Sequence, residues 1–280
     1  MGLFGNQPGK SEREKAYHPF PEGYLPSIQY QTAQSVGLTR DHNEDALSAF
    51  SATILTCDAS FTFGLFIVAD GMGGHLNGEV ASNLAVQNTN ASLMRMVFDP
   101  MRLGQKKMSD TEVNEALEKA VFGAHDAVLK QVSGGGTTLT VALVLNQILY
   151  AAHVGDSRLY LASPHTSFAP LTTDHSVVQR LTELGQITEK EAREHPSRNV
   201  LFRAIGQQEG FKIDLLQRPL KEHTQLLLCS DGLWGLVRER KLAGMLNSTS
   251  RDIFAAQKLV DLANAEGGTD NISVIMVTID

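Results

Sequence analysis

The chain has 280 residues, 42% of them hydrophobic, enough to bury the core of one large domain or two small ones. Its formal net charge of −7 excludes a general binder of nucleic-acid backbone, which needs a basic face, while an acidic cleft would draw in cations. Two cysteines, Cys57 and Cys229, give no disulfide framework; both adjoin apolar strand-like runs and read as buried, reduced thiols of a reducing compartment.

Residues 1–26 are polar, with prolines at 8, 19, 21 and 26, and read as a flexible or strapped N-terminal arm. The start carries no apolar run of signal-peptide length, and Asn6 stands where a myristoylation signal places Ser or Thr. The longest apolar stretch, 61–69, is too short to cross a bilayer. A cytoplasmic protein with no membrane anchor is expected. From 27 to 280 the texture is globular, without repeats or a Pro/Gly/Ser-rich linker, so a single domain is expected there.

In chain order, 28–36 reads as a strand, and 46–57 with 61–69 as a hairpin around Asp58-Ala59-Ser60. Asn77 is placed to cap a helix with Val80, Ala81, Leu84 and Ala85 on one face. A second helix carries the stripe Val113, Leu117, Val121, Ala124 and Val128, with Glu115 and Lys119 paired at i,i+4. Segments 139–145 and 148–154 flank a hairpin turn at Asn146-Gln147, and 158–162 continues that meander. Short helices follow at 177–184 and 189–193, then a strand at 225–230, a helix at 251–265 and a strand at 272–279. Hairpin-joined strands with a pair of inserted helices predict an α+β fold with mostly antiparallel sheets.

One design recurs at the strand ends. Phe66-Ile67-Val68-Ala69 leads to Asp70-Gly71, Leu226-Leu227-Leu228-Cys229-Ser230 to Asp231-Gly232, and His153-Val154-Gly155 to Asp156-Ser157; Asp270-Asn271 opens the last strand. The segment RDHNED adds Arg40, Asp41, Glu44 and Asp45. Any single Asp-Gly pair is an ordinary turn. Four carboxylates at the mouths of apolar strands could converge in one cleft, where they need cations to stay ionised together. Oxygen donors without a Cys/His set suit Mg2+ or Mn2+ rather than structural zinc. The glycines beside Asp70 are read as leaving room for metal, water and substrate.

VADGMGG, RDHNED, GGGTT, HVGDSRLYL, TDHS, SRNVLFRAIG, CSDGLWG and GGTDNISVIMV occur in this order over nearly the whole chain. Together they resemble the metal-dependent (PPM) protein phosphatases, the type 2C serine/threonine phosphatases, in their bacterial branch. The resemblance implies a four-layer α-β-β-α sandwich with two central sheets and a dinuclear site at one end of the cleft. It implies two Mn2+ or Mg2+ ions bridged by Asp70, with the Gly71 carbonyl on one and Asp231 and Asp270 on the other. Glu44 would act through metal-bound water, Arg40 would grip the phosphate, and Asn271 would orient a water. Asp156 would serve a third metal, with Asp45, Ser230 and Ser157 behind the ligands. The flap would span about 185–206, with Arg198 and Asn199 toward the substrate, although its polar, charged texture also suits a solvated loop.

The implied reaction is hydrolysis of phosphoserine and phosphothreonine by direct attack of a metal-bridging hydroxide, with no phosphoenzyme. Animal relatives carry a histidine after DG as a proposed general acid. Met72 stands there and cannot donate a proton, and His75, three residues on, reads as a helix-start or supporting group; a water on a metal is the better candidate. Leu233 and Trp234 read as core packing. The implied partners are phosphorylated proteins and Ser/Thr kinases whose action it opposes; no nucleic acid is expected, and a monomer is the expected state. A catalytically silent phosphoprotein-binding module would show a missing ligand, and none is missing. A two-metal hydrolase of nucleotides or nucleic acid is opposed by the acidic balance and the lack of a basic aromatic stripe.

Overall fold

Alternation at period two sorts the strand residues into three cores. The computed structural model describes residues 25–73, 76–164, 166–207, 211–248 and 252–280. Strands β1 (Ile28–Ser35), β2 (Asp45–Leu55) and β3 (Ser60–Met72) are followed by helix α1 (Leu76–Leu93), a π-helical turn (Met94–Phe98), α2 (Asp99–Arg102) and α3 (Asp110–Gln131). Strands β4 (Gly136–Thr137), β5 (Leu139–Leu145), β6 (Ile148–Val154), β7 (Arg158–Ser163) and β8 (Thr166–Pro170) come next, then α4 (Val177–Glu183) and α5 (Glu189–Glu194). The chain closes with β9 (Asp214–Pro219), β10 (Thr224–Cys229), α6 (Asp231–Trp234), α7 (Glu239–Ser248), α8 (Ala255–Ala265) and β11 (Ile272–Ile279).

Two antiparallel sheets result, ordered β1-β11-β10-β7-β8 and β2-β3-β5-β6-β9, with β4 paired to β3. Phe66 and Val68 of β3, Ala142 and Val144 of β5, Leu226 and Leu228 of β10, and Ile275 and Val277 of β11 fill the space between the sheets. Their neighbours Leu65, Ile67, Val141 and Leu143 face outward onto α1 and α3, joining Leu117, Val121 and Val128. On the other side Leu227, Val274 and Met276 meet Leu242, Leu259 and Val260 of α7 and α8. Three buried layers between four structural layers make the expected α-β-β-α sandwich. Among the described residues no helix is long and apolar enough to cross a membrane.

Several expectations need correction. Segment 158–163 does not continue the β5–β6 meander: β7 pairs with β10, so the chain changes sheet at Gly155-Asp156-Ser157. Val80 is 50% exposed, because α1 buries small and polar residues, Ala81, Ser82, Ala85 and Thr89, rather than a broad apolar stripe. Asn77 lies inside the first turn of α1, where its amide donates to the Ser133 carbonyl. Cys57 is exposed, since β2 stops at Leu55; Cys229 is buried. Helix α8 begins at Ala255 rather than 251, and α6, α7, β8 and β9 add to the elements expected. The N-terminal arm through residue 24, and His75, lie outside the described residues.

Candidate active site

The strand ends meet. A cavity of about 500 Å³ is lined by Arg40, Glu44, Asp70, Gly71, Asp156, Asp231, Asp270 and Asn271, with Met72, Thr138 and Asn199 at its edge. Asp70 comes from β3 of the second sheet and Asp156 from the turn between β6 and β7, where the chain changes sheet, while Asp231 and Asp270 flank β10 and β11 of the first.

Asp70 and Glu44 are fixed through their backbones. Asp70 N–H donates to Thr138 Oγ1 at 2.9 Å, and the Asp70 carbonyl accepts from Thr138 N and Thr137 Oγ1, each at 2.9 Å. Thr138 Oγ1 lies 2.7 Å from Ser157 Oγ, which ties the Asp70 strand to the turn that carries Asp156. The Glu44 carbonyl accepts from Gly71 N at 3.2 Å and Ser82 Oγ at 2.6 Å. Gly71 has no room for a side chain: a Cβ there would collide with the Gly78 carbonyl and sit 2.6 Å from the Glu44 carbonyl. Gly71 and Gly78 let the first turn of α1 close on the end of β3, and Gly71 also lines the cavity.

Asn271 has a task other than orienting water. Its Nδ2 donates to the carbonyls of Val36 and His42, both at 2.9 Å, and its Oδ1 accepts from Glu44 N at 2.8 Å. One amide thus pins the loop that carries Arg40 and Glu44. Behind the cavity, buried Ser230 donates to Asp45 Oδ2 at 2.8 Å and accepts from Ser273 N. Arg40 Nη2 pairs with Asp270 Oδ2 at 2.9 Å.

The electrostatics are those of crowded acids. Burial, then Asp45 and Asp231, push the Asp70 carboxyl well above the usual carboxylate range. Burial, then Asp231 and Asp174, do the same to Asp156. Burial and Asp270 raise Asp231 to about 6, and burial raises Asp45 to about 7. Asp45 Oδ1 and Asp231 Oδ1 are buried without a hydrogen-bond partner, and Glu44 Oε1, also without one, lies 3.4 Å from His42 Nε2. Orphaned acidic oxygens are costly unless a cation or proton meets them, so the donor set fits hard divalent ions. Among the described residues no three His, Cys, Asp or Glu side chains are grouped closely enough to hold a metal ion by themselves. Ions held here would take further oxygens from backbone, water or substrate, as Mg2+ commonly does.

The residues matched by the family model for protein phosphatase 2C run from 32 to 272. The chain belongs to the protein phosphatase 2C family. It is 34% identical over 250 residues to the serine/threonine phosphatase stp of Listeria monocytogenes serotype 4b, covering 87% of this chain and 93% of that one. Protein phosphatase PhpP of Streptococcus pneumoniae is 34% identical over 217 residues, 77% of this chain and 86% of that protein. Among solved structures, the S. agalactiae serine/threonine phosphatase superposes with a TM-score of 0.76 at 28% identity, covering 91% of this chain and all of that one. The catalytic domain of PstP, in complex with two manganese ions, gives 0.73 at 30% identity, over 91% of this chain and 99% of that one. This protein phosphatase 2C is thus a protein serine/threonine phosphatase of the bacterial type.

Other residues with a part in the phosphatase site were not singled out by the sequence reading. Arg158 grips Asp174 with two bonds of 2.9 and 2.8 Å and lies 3.7 Å over the Trp234 ring, whose Nε1 donates to the Asp156 carbonyl at 2.9 Å. Trp234 is therefore a support for Asp156 as well as packing against the core. Thr138 and His175 were legible only as members of the GGGTT and TDHS strings. Arg198 and Asn199 are exposed; Arg198 lines a neighbouring cavity of about 540 Å³, and Asn199 lines both.

Proposed function

We propose that this phosphatase hydrolyses phosphoserine and phosphothreonine in cytoplasmic proteins, opposing bacterial Ser/Thr kinases, with two Mn2+ or Mg2+ ions held by Asp70, the Gly71 carbonyl, Asp231 and Asp270. The observation that carries the reading is the meeting of Asp70, Asp156, Asp231 and Asp270 in one cavity beside Arg40, with acidic oxygens left unpartnered. Bound there, the ions supply Lewis acidity and a water of lowered pKa, together with charge to offset the phosphoryl oxygens. Glu44, pinned by Asn271 and facing the cavity, orients water by its carboxylate. Arg40 sits at the rim, where its planar fork can take two oxygens of a phosphate monoester. Asp156 serves turnover from the turn between the sheets, at a third and weaker cation site.

Met72 lines the cavity and offers no proton, so the leaving alkoxide takes its proton from elsewhere. The 540 Å³ cavity shares Asp156, Asn199, Asp231 and Asp270 with the first, and its far wall is the segment with Arg193 and Arg198. Residues beside the phosphorylated Ser or Thr pass along this wall, giving the flap its part in substrate selection. The test is a steady-state assay of a phosphothreonine peptide, a nucleotide and DNA. Turnover of the peptide alone, abolished by chelation and restored by Mn2+, is expected. Full peptide turnover in chelated protein shown by metal analysis to be empty would refute the reading.

A further inference from the structure

The turn that carries Asp156 is held from its far side by a residue with no contact to the cavity. Gly155 has φ +109, and a Cβ on it would meet Thr138 Cγ2 at 2.5 Å, so the turn is pressed against the threonine that holds Asp70. On the opposite side, His175 N donates to the Gly155 carbonyl at 2.7 Å, and Gly155 N donates to His175 Nδ1 at 3.1 Å. One residue therefore satisfies both polar groups of Gly155. His175 is only 3% exposed.

That clasp requires one tautomer. Nδ1 accepts only if the ring proton is on Nε2, and Nε2 faces both Asp214 Oδ2 at 3.0 Å and Arg203 Nη1 at 3.2 Å, of which only the carboxylate can accept that proton. Asp214 is fixed in turn by Arg203, whose Nη1 donates to Asp214 Oδ1 at 2.9 Å. The same histidine reaches the end of the 185–206 segment. Its carbonyl accepts from Phe202 N at 2.9 Å, and the adjoining Ser176 bridges to Leu201. Asp214 starts β9, the edge strand beside β6.

We propose that His175 is a positioning residue for Asp156, that Asp214 and Arg203 hold its imidazole in the working tautomer, and that this cluster joins the Asp156 turn to the root of the flap segment. The inference rests on the reading of Asp156 as a working residue of the phosphatase. Two arms of the test separate them. In chelated protein, hydrogen exchange read by mass spectrometry reports the clasp itself. His175→Leu is expected to speed exchange across residues 154–158 and leave β3 and β10 unchanged. His175→Asn, which keeps an acceptor near the Nδ1 position, should restore part of the protection. In the Mn2+-loaded enzyme His175→Leu should lower kcat for a phosphothreonine peptide by ~10–100-fold, the range for partners one layer behind a metal ligand, with KM within about 2-fold.

The deciding measurement is non-additivity. If His175 acts through Asp156, the double variant His175→Leu/Asp156→Ala should match Asp156→Ala alone within about 2-fold. Multiplied losses would show a separate effect on the fold and overturn the proposal, as would unchanged exchange across 154–158. Should His175→Leu fail to fold, Asp214→Asn carries the same cycle, since its side chain is 52% exposed. It is expected to slow kcat less than His175→Leu and again to add nothing to Asp156→Ala. If Asp156→Ala alone were fully active, the role of Asp156 would fall while the exchange experiment still judged the clasp.

Discussion

The Ser230 hydroxyl donates to the Asp45 carboxylate at 2.8 Å, across 185 residues of chain. This bond joins the start of β2 in one sheet to the end of β10 in the other, directly behind the acid-lined cavity. Asp45 keeps its second oxygen buried and unpartnered.

Burial, more than its acidic neighbours, raises Asp45 to about 7, against about 3.9 for a free aspartate. Between those values the folded metal-free chain binds a proton that the unfolded chain has released. The contribution of Asp45 to stability therefore falls as pH rises from about 4 to about 7, and the cost is fully present above that. Asp45→Asn removes this dependence. Its melting temperature in chelator should exceed that of the parent by a margin that widens from pH 5 to pH 8. Parallel melting curves across that interval would count against a buried, protonated Asp45.

Asp70→Asn should fold and be nearly inactive. It removes the charge from the ligand assigned to bridge the ions without changing volume, and the loss of kcat should exceed the ~10–100-fold seen for outer partners. The metal-free variant should melt higher than the parent, because a buried acid crowded by Asp45, Asp231 and Asp156 has been neutralised. Calorimetry in chelator and rates in Mn2+ check the two halves separately. A stabilised variant that also turned over normally would end the bridging role.

Asn271→Ala removes three hydrogen bonds between the amide and the backbone of residues 36–44. At about 1 kcal/mol each, the loss of stability should be about 3 kcal/mol. Loop 36–44 should become sensitive to limited proteolysis, with kcat/KM falling because Arg40 and Glu44 lose their anchor. A catalytic role in orienting water predicts the opposite pairing, lost turnover with unchanged stability and protease resistance.

Asp156→Ala should lose turnover while retaining two tightly bound ions by metal analysis. If Asp156 serves protonation of the leaving group, the defect lies in kcat, because that interaction is made in the transition state. An aryl phosphate with a good leaving group needs less help than a phosphopeptide and should suffer less. Equal losses on both substrates would remove the link to proton transfer, and no loss on either would leave Asp156 a turn residue.

The strands were legible because β3, β5 and β6 alternate between two apolar surfaces, and such runs stay apolar throughout. The change of sheet before β7 was not legible, since Gly155-Asp156-Ser157 would read the same in a hairpin. Val80 misled because helical spacing alone does not say which face is buried when the contact is made by Ala81, Ala85 and Thr89. The acid cluster was legible through the order of its motifs. Its supports were not: the contacts of Thr138 with Ser157, of Trp234 with Asp156 and of His175 with Gly155 exist only once distant segments are folded together. The close backbone packing at Gly71 was hidden for the same reason, since Gly78 and Glu44, which press on it, come from separate segments.

Strand β11 lies between β1 and β10, so it is an interior strand of its sheet. Ile272–Ile279 supplies partners to Ile28–Ser35 on one side and to Thr224–Cys229 on the other. Without those eight residues β1 and β10 would each show an open edge, the kind that pairs with other chains. Asp270 and Asn271 immediately precede the strand, and with β11 out of place the loop of Arg40 and Glu44 would lose its three bonds to Asn271 while the Glu44 carbonyl kept those from Gly71 and Ser82. Displacing β11 is therefore expected to unpair two strands and release one wall of the acid-lined cavity in a single event.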